Sequence, residues 1–224
     1  MTEASALVDG LQSIRLGELD RIPALDTLRG IAIVGSTCSG KTTIVDAIRD
    51  SELVVSGRVD VPKRCITRPK RANDNLVENM FLSPEELDTA QRENKLAFSW
   101  VRHMENGRTE QYGFFKPRKS ALPVYSGNNA LYEHPEDIRP SDALQAVLLV
   151  GVYAPDEVRE ERLKERSPDL FRDKPDEVKY RLGDSSKNML PRVGIVIDKH
   201  GHTSRQSEKE ILVFLDRLTA VRNG

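Results

Sequence analysis

Cysteine is nearly absent: Cys38 and Cys65 are the two thiols in 224 residues. They cannot supply a disulfide framework, so a reduced, cytoplasmic setting is expected. No apolar run approaches the ~18 residues of a membrane-spanning helix, and Met1-Thr2-Glu3-Ala4-Ser5 lacks the basic and apolar regions of a secretion signal. Charge of one sign is missing as well. With 34 basic and 35 acidic residues the formal charge is −1, which removes the electrostatic ground for non-specific nucleic-acid binding. Neither a nucleic-acid partner nor a membrane partner is expected. Internal repeats and low-complexity tracts are absent too. What remains, 38% apolar and 31% charged, suits one good-sized core with room for a small inserted lobe.

One stretch organises the rest. Gly30 to Val34 is a short apolar run that reads as a buried strand, and it feeds Gly35-Ser36-Thr37-Cys38-Ser39-Gly40-Lys41-Thr42-Thr43. This is Gly-x-x-x-x-Gly-Lys-Thr between a strand and a helix, the context in which the motif binds phosphate. The glycines allow a tight path that turns backbone N–H groups inward as an anion nest. The helix N-terminus adds partial positive charge. Lys41 would reach the β/γ-phosphates and the Thr42 hydroxyl would ligate Mg²⁺. The expected ligand is a nucleoside triphosphate, with Gly35 through Thr43 as its binding set.

Further strands are expected at Leu53 to Val55, Val59 to Ile66, Phe98 to Val101, Tyr112 to Pro117 and Pro123 to Tyr125. Ala146 to Val152 and Gly194 to Ile197 read as buried strands, being apolar on both faces. Ser83, Pro84 and Glu86 carry the cap, first-turn proline and capping-box signals of a helix running to Arg92. Charged helices follow at Asp156 to Arg166 and Pro175 to Asn188, and a last helix from Ser207, with Glu210 at its third position. Buried strands alternating with helices predict an α/β fold with a parallel sheet covered on both faces. The expected division is an N-terminal arm (1–28), a core (29–58 and 118–224) with a lid at about 162–182, and an inserted acceptor-binding lobe (59–117).

Three classes of phosphate-loop protein are open: switch GTPase, motor or transporter ATPase, and small-molecule kinase. No Asn/Thr-Lys-x-Asp element is present for guanine, and Ala146 to Val152 runs into Tyr153 and Ala154 rather than a metal-binding Asp. With no second module for a motor to drive, a kinase is favoured. It must hold an anionic acceptor and exclude water. Arg64-Cys65-Ile66-Thr67-Arg68-Pro69-Lys70-Arg71 is the candidate clamp, since Arg68 and Arg71 could present two guanidinium forks to one phosphate. Asp74 and Glu78 could orient the acceptor or a metal-bound water. His103 has some claim on an acceptor hydroxyl, and Trp100 could stack a base or sugar, although a strand Trp is usually core.

Thr67-Arg68-Pro69-Lys70-Arg71, Phe81-Leu82-Ser83-Pro84-Glu85-Glu86-Leu87 and Tyr112-Gly113 resemble the acceptor lobe of guanylate-kinase-like enzymes. Within that family, Ile66-Thr67-Arg68-Pro69 and Trp100-Val101-Arg102-His103 are most similar to the ribose 1,5-bisphosphate phosphokinase branch. The resemblance, over about residues 30–218, implies that Arg68, Arg71, Tyr112 and Gly113 hold an acceptor phosphate. It also matches Arg162, Arg166 and Arg181 to the arginine lid over the triphosphate, and Asp198 to the adenine side. The interval from Arg166 to Arg181 is longer than usual in the family, and these arginines could instead pair with Glu160, Glu161 and Glu165. The base-reading positions depart from the family: Ser99 replaces the guanine-reading acid, Arg64 and Phe114 replace serines, and Asn79 replaces a tyrosine. The resemblance therefore implies an acceptor that is phosphorylated but is not GMP. The alternatives are a kinase for a pyrimidine or modified nucleoside monophosphate and a non-catalytic guanylate-kinase-like binding module, which the intact Gly40-Lys41-Thr42 disfavours. A homodimer stays open.

Overall fold

The computed structural model describes residues 28–70, 74–103, 108–118, 120–128, 130–140, 143–144, 146–183, 195–198 and 204–223. Arg71 and residues 1–27 of the expected arm lie outside the described residues.

Strand β1 (Gly30–Val34) is buried at all five positions. It lies between β7 (Leu122–Ser126) and β8 (Val147–Tyr153), with β2 (Val59–Asp60) and β9 (Ile195–Asp198) outside them. All pairs are parallel, in the order β2-β7-β1-β8-β9. Because side chains alternate along a strand, β1 serves two separate layers. Ile31 and Ile33 pack with Ile44 and Ile48 of α1 (Lys41–Arg49) and with Phe214 and Leu215 of α8 (Ser204–Asn223). Ala32 and Val34 face the other way, onto Phe98, Trp100, Phe114 and Tyr125.

Those aromatics come largely from a second sheet. After β2 the chain builds β3 (Arg64–Ile66), β4 (Asn79–Phe81), β5 (Leu96–His103) and β6 (Thr109–Phe115), ordered β4-β3-β6-β5, and returns to the core at β7 beside β2. The small sheet is mixed: β3 runs parallel to β4 and antiparallel to β6, which is antiparallel to β5. Its outer face is covered by α3 (Pro84–Arg92), where Leu87 and Ala90 meet Cys65 and Leu96. Burial pushes the Cys65 thiol up to about 12.

The capping box forms as the sequence predicts, with Ser83 N–H donating to Glu86 Oε2 at 2.7 Å and Glu86 N–H donating to Ser83 Oγ at 3.1 Å. Three expectations need correction. Leu53-Val54-Val55 belongs to a helical turn, α2 (Glu52–Val55), in which Leu53 is buried and Val55 is 76% exposed. Val54 and Val55 N–H both donate to Ser51 O, which satisfies the backbone locally without a strand partner. The expected strand Val59 to Ile66 splits at Pro62, so β2 joins the core sheet and β3 the small one. Proline has no N–H to donate to a ladder. The last helix starts at Ser204, and Ser207 lies buried within it.

Between α5 (Asp156–Arg166) and α7 (Pro175–Gly183), the Pro- and Asp-rich break forms its own short helix, α6 (Pro168–Asp173). Among the described residues no helix is long and apolar enough to cross a membrane.

Candidate functional site

The site begins where β1 ends. Chain order sends β2 to one side of β1 and β8 to the other, which opens a crevice at the carboxyl ends of the strands. Gly35 through Gly40 fill this position. A Cβ on Gly35 would stand 2.7 Å from both Ser39 Oγ and Val152 O, so no larger residue fits without displacing backbone. Gly40 caps α1 in the left-handed region at φ 97°, where glycine carries no steric penalty. Ser39 N–H donates to Ser36 O at 3.2 Å, closing the turn. Lys41 Nζ donates to Gly35 O at 2.9 Å, so the lysine curls back over the loop. Thr42 and Thr43 are exposed in the first turn of α1. The Ser36 and Ser39 hydroxyls are buried without a hydrogen-bond partner among the described residues, so a polar group bound at the loop would find two hydroxyls to satisfy.

Helix α5 backs this loop. Arg162 Nη1 donates to Cys38 O at 3.2 Å and Ser39 O at 3.3 Å. Arg159, which the sequence reading passed over, donates from Nε to Thr37 O at 2.9 Å. Arg166 is exposed at the far end of α5, and Arg181 in α7 pairs with Glu177 at 2.5 Å. Of the three expected lid arginines, therefore, only Arg162 touches the loop among these contacts. Asp198 closes β9, opposite Tyr153 of β8.

A second polar cluster lies between the lobe and the core. Arg68 reaches Asp74 through both guanidinium nitrogens, at 2.7 and 2.6 Å, and its charged carbon stands 5.6 Å from the Phe81 ring centre. The Asp74 hydrogen bonds hold the Arg68 guanidinium above its ordinary pKa. Arg64 donates to Asn79 Oδ1 at 3.1 and 2.9 Å and approaches Glu78 at 3.8 Å. Glu78, itself buried, accepts a hydrogen bond from Ser126 Oγ. Ser126 ends β7, and Gly127 N–H donates to Ile33 O at 2.9 Å, placing this pair beside the phosphate loop. Ser126 was not foreseen; the signal was a serine ending an apolar strand. Tyr112 donates to Glu110, and burial raises the phenol first, with Glu110 adding to it.

The small sheet divides the other expected acceptor residues between its faces. In the register, Arg64 opposes Phe114, Ile66 opposes Tyr112, and Tyr112 opposes Trp100. These side chains share the face turned to the core. Ser99 and Gly113 oppose each other in the alternate positions, and a Cβ on Gly113 would meet Ser99 Cβ at 3.3 Å and Leu96 Cδ1 at 3.4 Å. Ser99 and Gly113 thus lie on the side of the sheet that α3 covers, opposite to Arg64. Trp100 shares the right face but is 1% exposed, stacked on Tyr112 with ring centres 5.4 Å apart. His103 ends β5 and is exposed.

No protein-family profile matches the chain, and no curated protein matches it. Among solved structures it is similar to guanylate kinase from Anaplasma phagocytophilum, at 13% identity and a TM-score of 0.47, covering 85% of this chain and 86% of that one. It is also similar to a gluconokinase from Sinorhizobium meliloti 1021, at 15% identity and a TM-score of 0.41, covering 86% and 95%. These likenesses are too loose to carry a functional argument.

Proposed function

We propose that the chain is an ATP- and Mg²⁺-dependent kinase that transfers the γ-phosphoryl group to a small phosphorylated acceptor, with a sugar phosphate such as ribose 1,5-bisphosphate favoured over a nucleotide. One observation carries the reading. The loop from Gly35 to Gly40 sits in the crevice at the carboxyl end of β1, with Lys41 folded onto it and Arg162 behind it. Such a loop offers backbone N–H groups, a helix N-terminus and a cation to a triphosphate.

The exposed Thr42 hydroxyl, one residue into α1 beside the loop, is an oxygen donor that suits Mg²⁺. Thr42 would hold the ion, which when bound would supply positive charge against the triphosphate. Arg64 and Arg68 would hold the acceptor phosphate, and Glu78 with Ser126 would orient an acceptor hydroxyl next to the loop. Phosphoryl transfer depends chiefly on such positioning and charge neutralisation. A planar base has little to dock on. The core-facing side of the lobe is occupied by Phe98, Trp100 and Phe114 packed against Tyr125, with ring centres 4.8 to 6.1 Å apart in the close pairs. Ser99, at the position where the resemblance expects a guanine-reading acid, faces α3.

The test presents ATP and Mg²⁺ with GMP, CMP, UMP, dTMP and ribose 1,5-bisphosphate, and compares kcat/KM from ADP release. The sugar bisphosphate should exceed every nucleotide. GMP ranking first would overturn the acceptor assignment, and a pyrimidine monophosphate ranking first would establish the nucleoside-monophosphate alternative. Lys41→Ala is the control for the loop. Removing a cation aimed at transition-state charge should lower turnover by about 10²-fold or more. Full activity in a folded Lys41→Ala protein would remove the triphosphate from this loop.

A further inference from the structure

Helix α5 carries an anomaly. Its buried face is Arg159 and Leu163, spaced i, i+4, where helical periodicity calls for two apolar residues. Arg159 is 0% exposed, yet it is an arginine. Burying a guanidinium is costly unless its donors are met, and here they are met at three places. Nε donates to Thr37 O at 2.9 Å, Nη1 to Asp156 Oδ1 at 2.9 Å, and Nη2 to Arg181 O at 3.3 Å. The first partner belongs to the phosphate loop and the third to α7, 144 residues apart in sequence by the difference of their numbers (181 − 37).

We propose that Arg159 is a positioning residue that joins the phosphate loop to α7, so that filling the loop orders the helix that carries Arg181. The inference rests on the triphosphate reading of the loop. The physical link is the peptide plane. In a trans peptide the C=O of one residue and the N–H of the next point in opposite directions. Holding Thr37 O against α5 therefore turns Cys38 N–H away from α5, and Arg162 does the same for Gly40 N–H through Ser39 O, whereas Ser39 N–H closes the turn on Ser36 O. An anion nest depends on N–H groups aimed in advance, because preorganised dipoles need no rearrangement when charge arrives. Anion binding fixes the same peptide from its other side. The fixed carbonyl steadies the Arg159 guanidinium, and that planar group has its other edge on Arg181 O. Lysine could not do this, since its single ammonium has no rigid fork to span two carbonyls in fixed geometry.

The test uses Arg159→Met, which keeps the aliphatic volume and removes the fork. Tripolyphosphate and Mg·ATP serve as probes in titration calorimetry, with hydrogen exchange read over residues 35–40 and 175–183. Wild type should bind both probes and show slower exchange in both segments. Arg159→Met leaves Thr37 O and Arg181 O without this donor, so it should melt below wild type, and it should bind both probes about 10- to 100-fold more weakly, the loss typical of hydrogen bonds from a charged group. At saturating probe it should protect residues 35–40 and leave 175–183 unchanged. Affinity within twofold of wild type, or protection of 175–183 retained in the variant, would overturn the inference. If Arg159→Met does not fold, Arg159→Lys is judged by the same two criteria. Wild type that binds neither probe would overturn both this inference and the triphosphate reading, whereas wild-type binding with an indifferent variant would overturn this inference alone.

Discussion

Arg68 and Asp74 are 12% and 10% exposed at their side chains, and two parallel hydrogen bonds join them. On the proposed acceptor assignment, a phosphate would have to displace a carboxylate rather than water from the arginine fork. A phosphate would offer the fork the same bidentate match with more charge. Arg68→Lys should raise the acceptor KM by about 10-fold or more while the ATP KM stays unchanged, on the scale of a lost charged hydrogen bond. Steady-state kinetics with each substrate varied in turn checks this, and equal weakening of both would place Arg68 outside the acceptor site. At the same scale, burial raises the Cys65 thiol from 9.0 to about 12. Between those values the unfolded chain has released a proton that the folded chain retains, so stability falls as pH rises from 9 towards 12. Tyr112 and Tyr125 are raised as well and add to the decline at higher pH. Urea melts should show the wild type losing stability from about pH 9 upward, and Cys65→Val losing less between pH 9 and 10. Parallel curves would acquit the thiol.

At the scale of elements, local chemistry decided most boundaries. Ser83, Pro84 and Glu86 placed the start of α3 correctly because a capping box is satisfied within four residues. Ser83→Ala should cost about 1 kcal/mol, visible as a lower melting temperature, and activity at temperatures below the transition should be retained. No change in melting would mean that α3 is held by Leu87 and Ala90 alone. The apolar run at Leu53 was misread as a strand for the complementary reason. Three β-prone residues outweigh the cap signal of Ser51, which stands at the N-cap of α2 and whose carbonyl captures two of their N–H groups before any strand partner can.

On the scale of the whole molecule, the described residues join lobe and core through the aromatic layer, the backbone bridge between Ser99 and Arg139, and the buried contact of Ser126 with Glu78. Removing the hydroxyl with Ser126→Ala leaves a buried carboxylate whose remaining charged neighbour, Arg64, stands 3.8 Å away. The expected cost is about 1 to 3 kcal/mol, read by chemical denaturation, together with a higher acceptor KM and an unchanged ATP KM. A stability loss with both KM values unchanged would make the contact structural only.

The sequence by itself determined the features whose causes are near in the chain. These are the strand, loop and helix around Gly35 to Thr43, the buried runs of the parallel sheet, and the capped helix of the lobe. Each follows from periodicity, glycine geometry or capping within a few residues. Only the tertiary structure decided which face of the small sheet each residue occupies, because one step of register exchanges the faces. That is why Ser99 and Gly113, adjacent in sequence to Trp100 and Tyr112, turn towards α3. It also decided the partners of the buried charges. Asp74 closes on Arg68, Ser126 meets Glu78 from 48 residues away, and Arg159 reaches Thr37 across 122. Nothing local distinguishes a buried arginine from an exposed one, since what keeps it buried is a set of carbonyls supplied by distant parts of the chain.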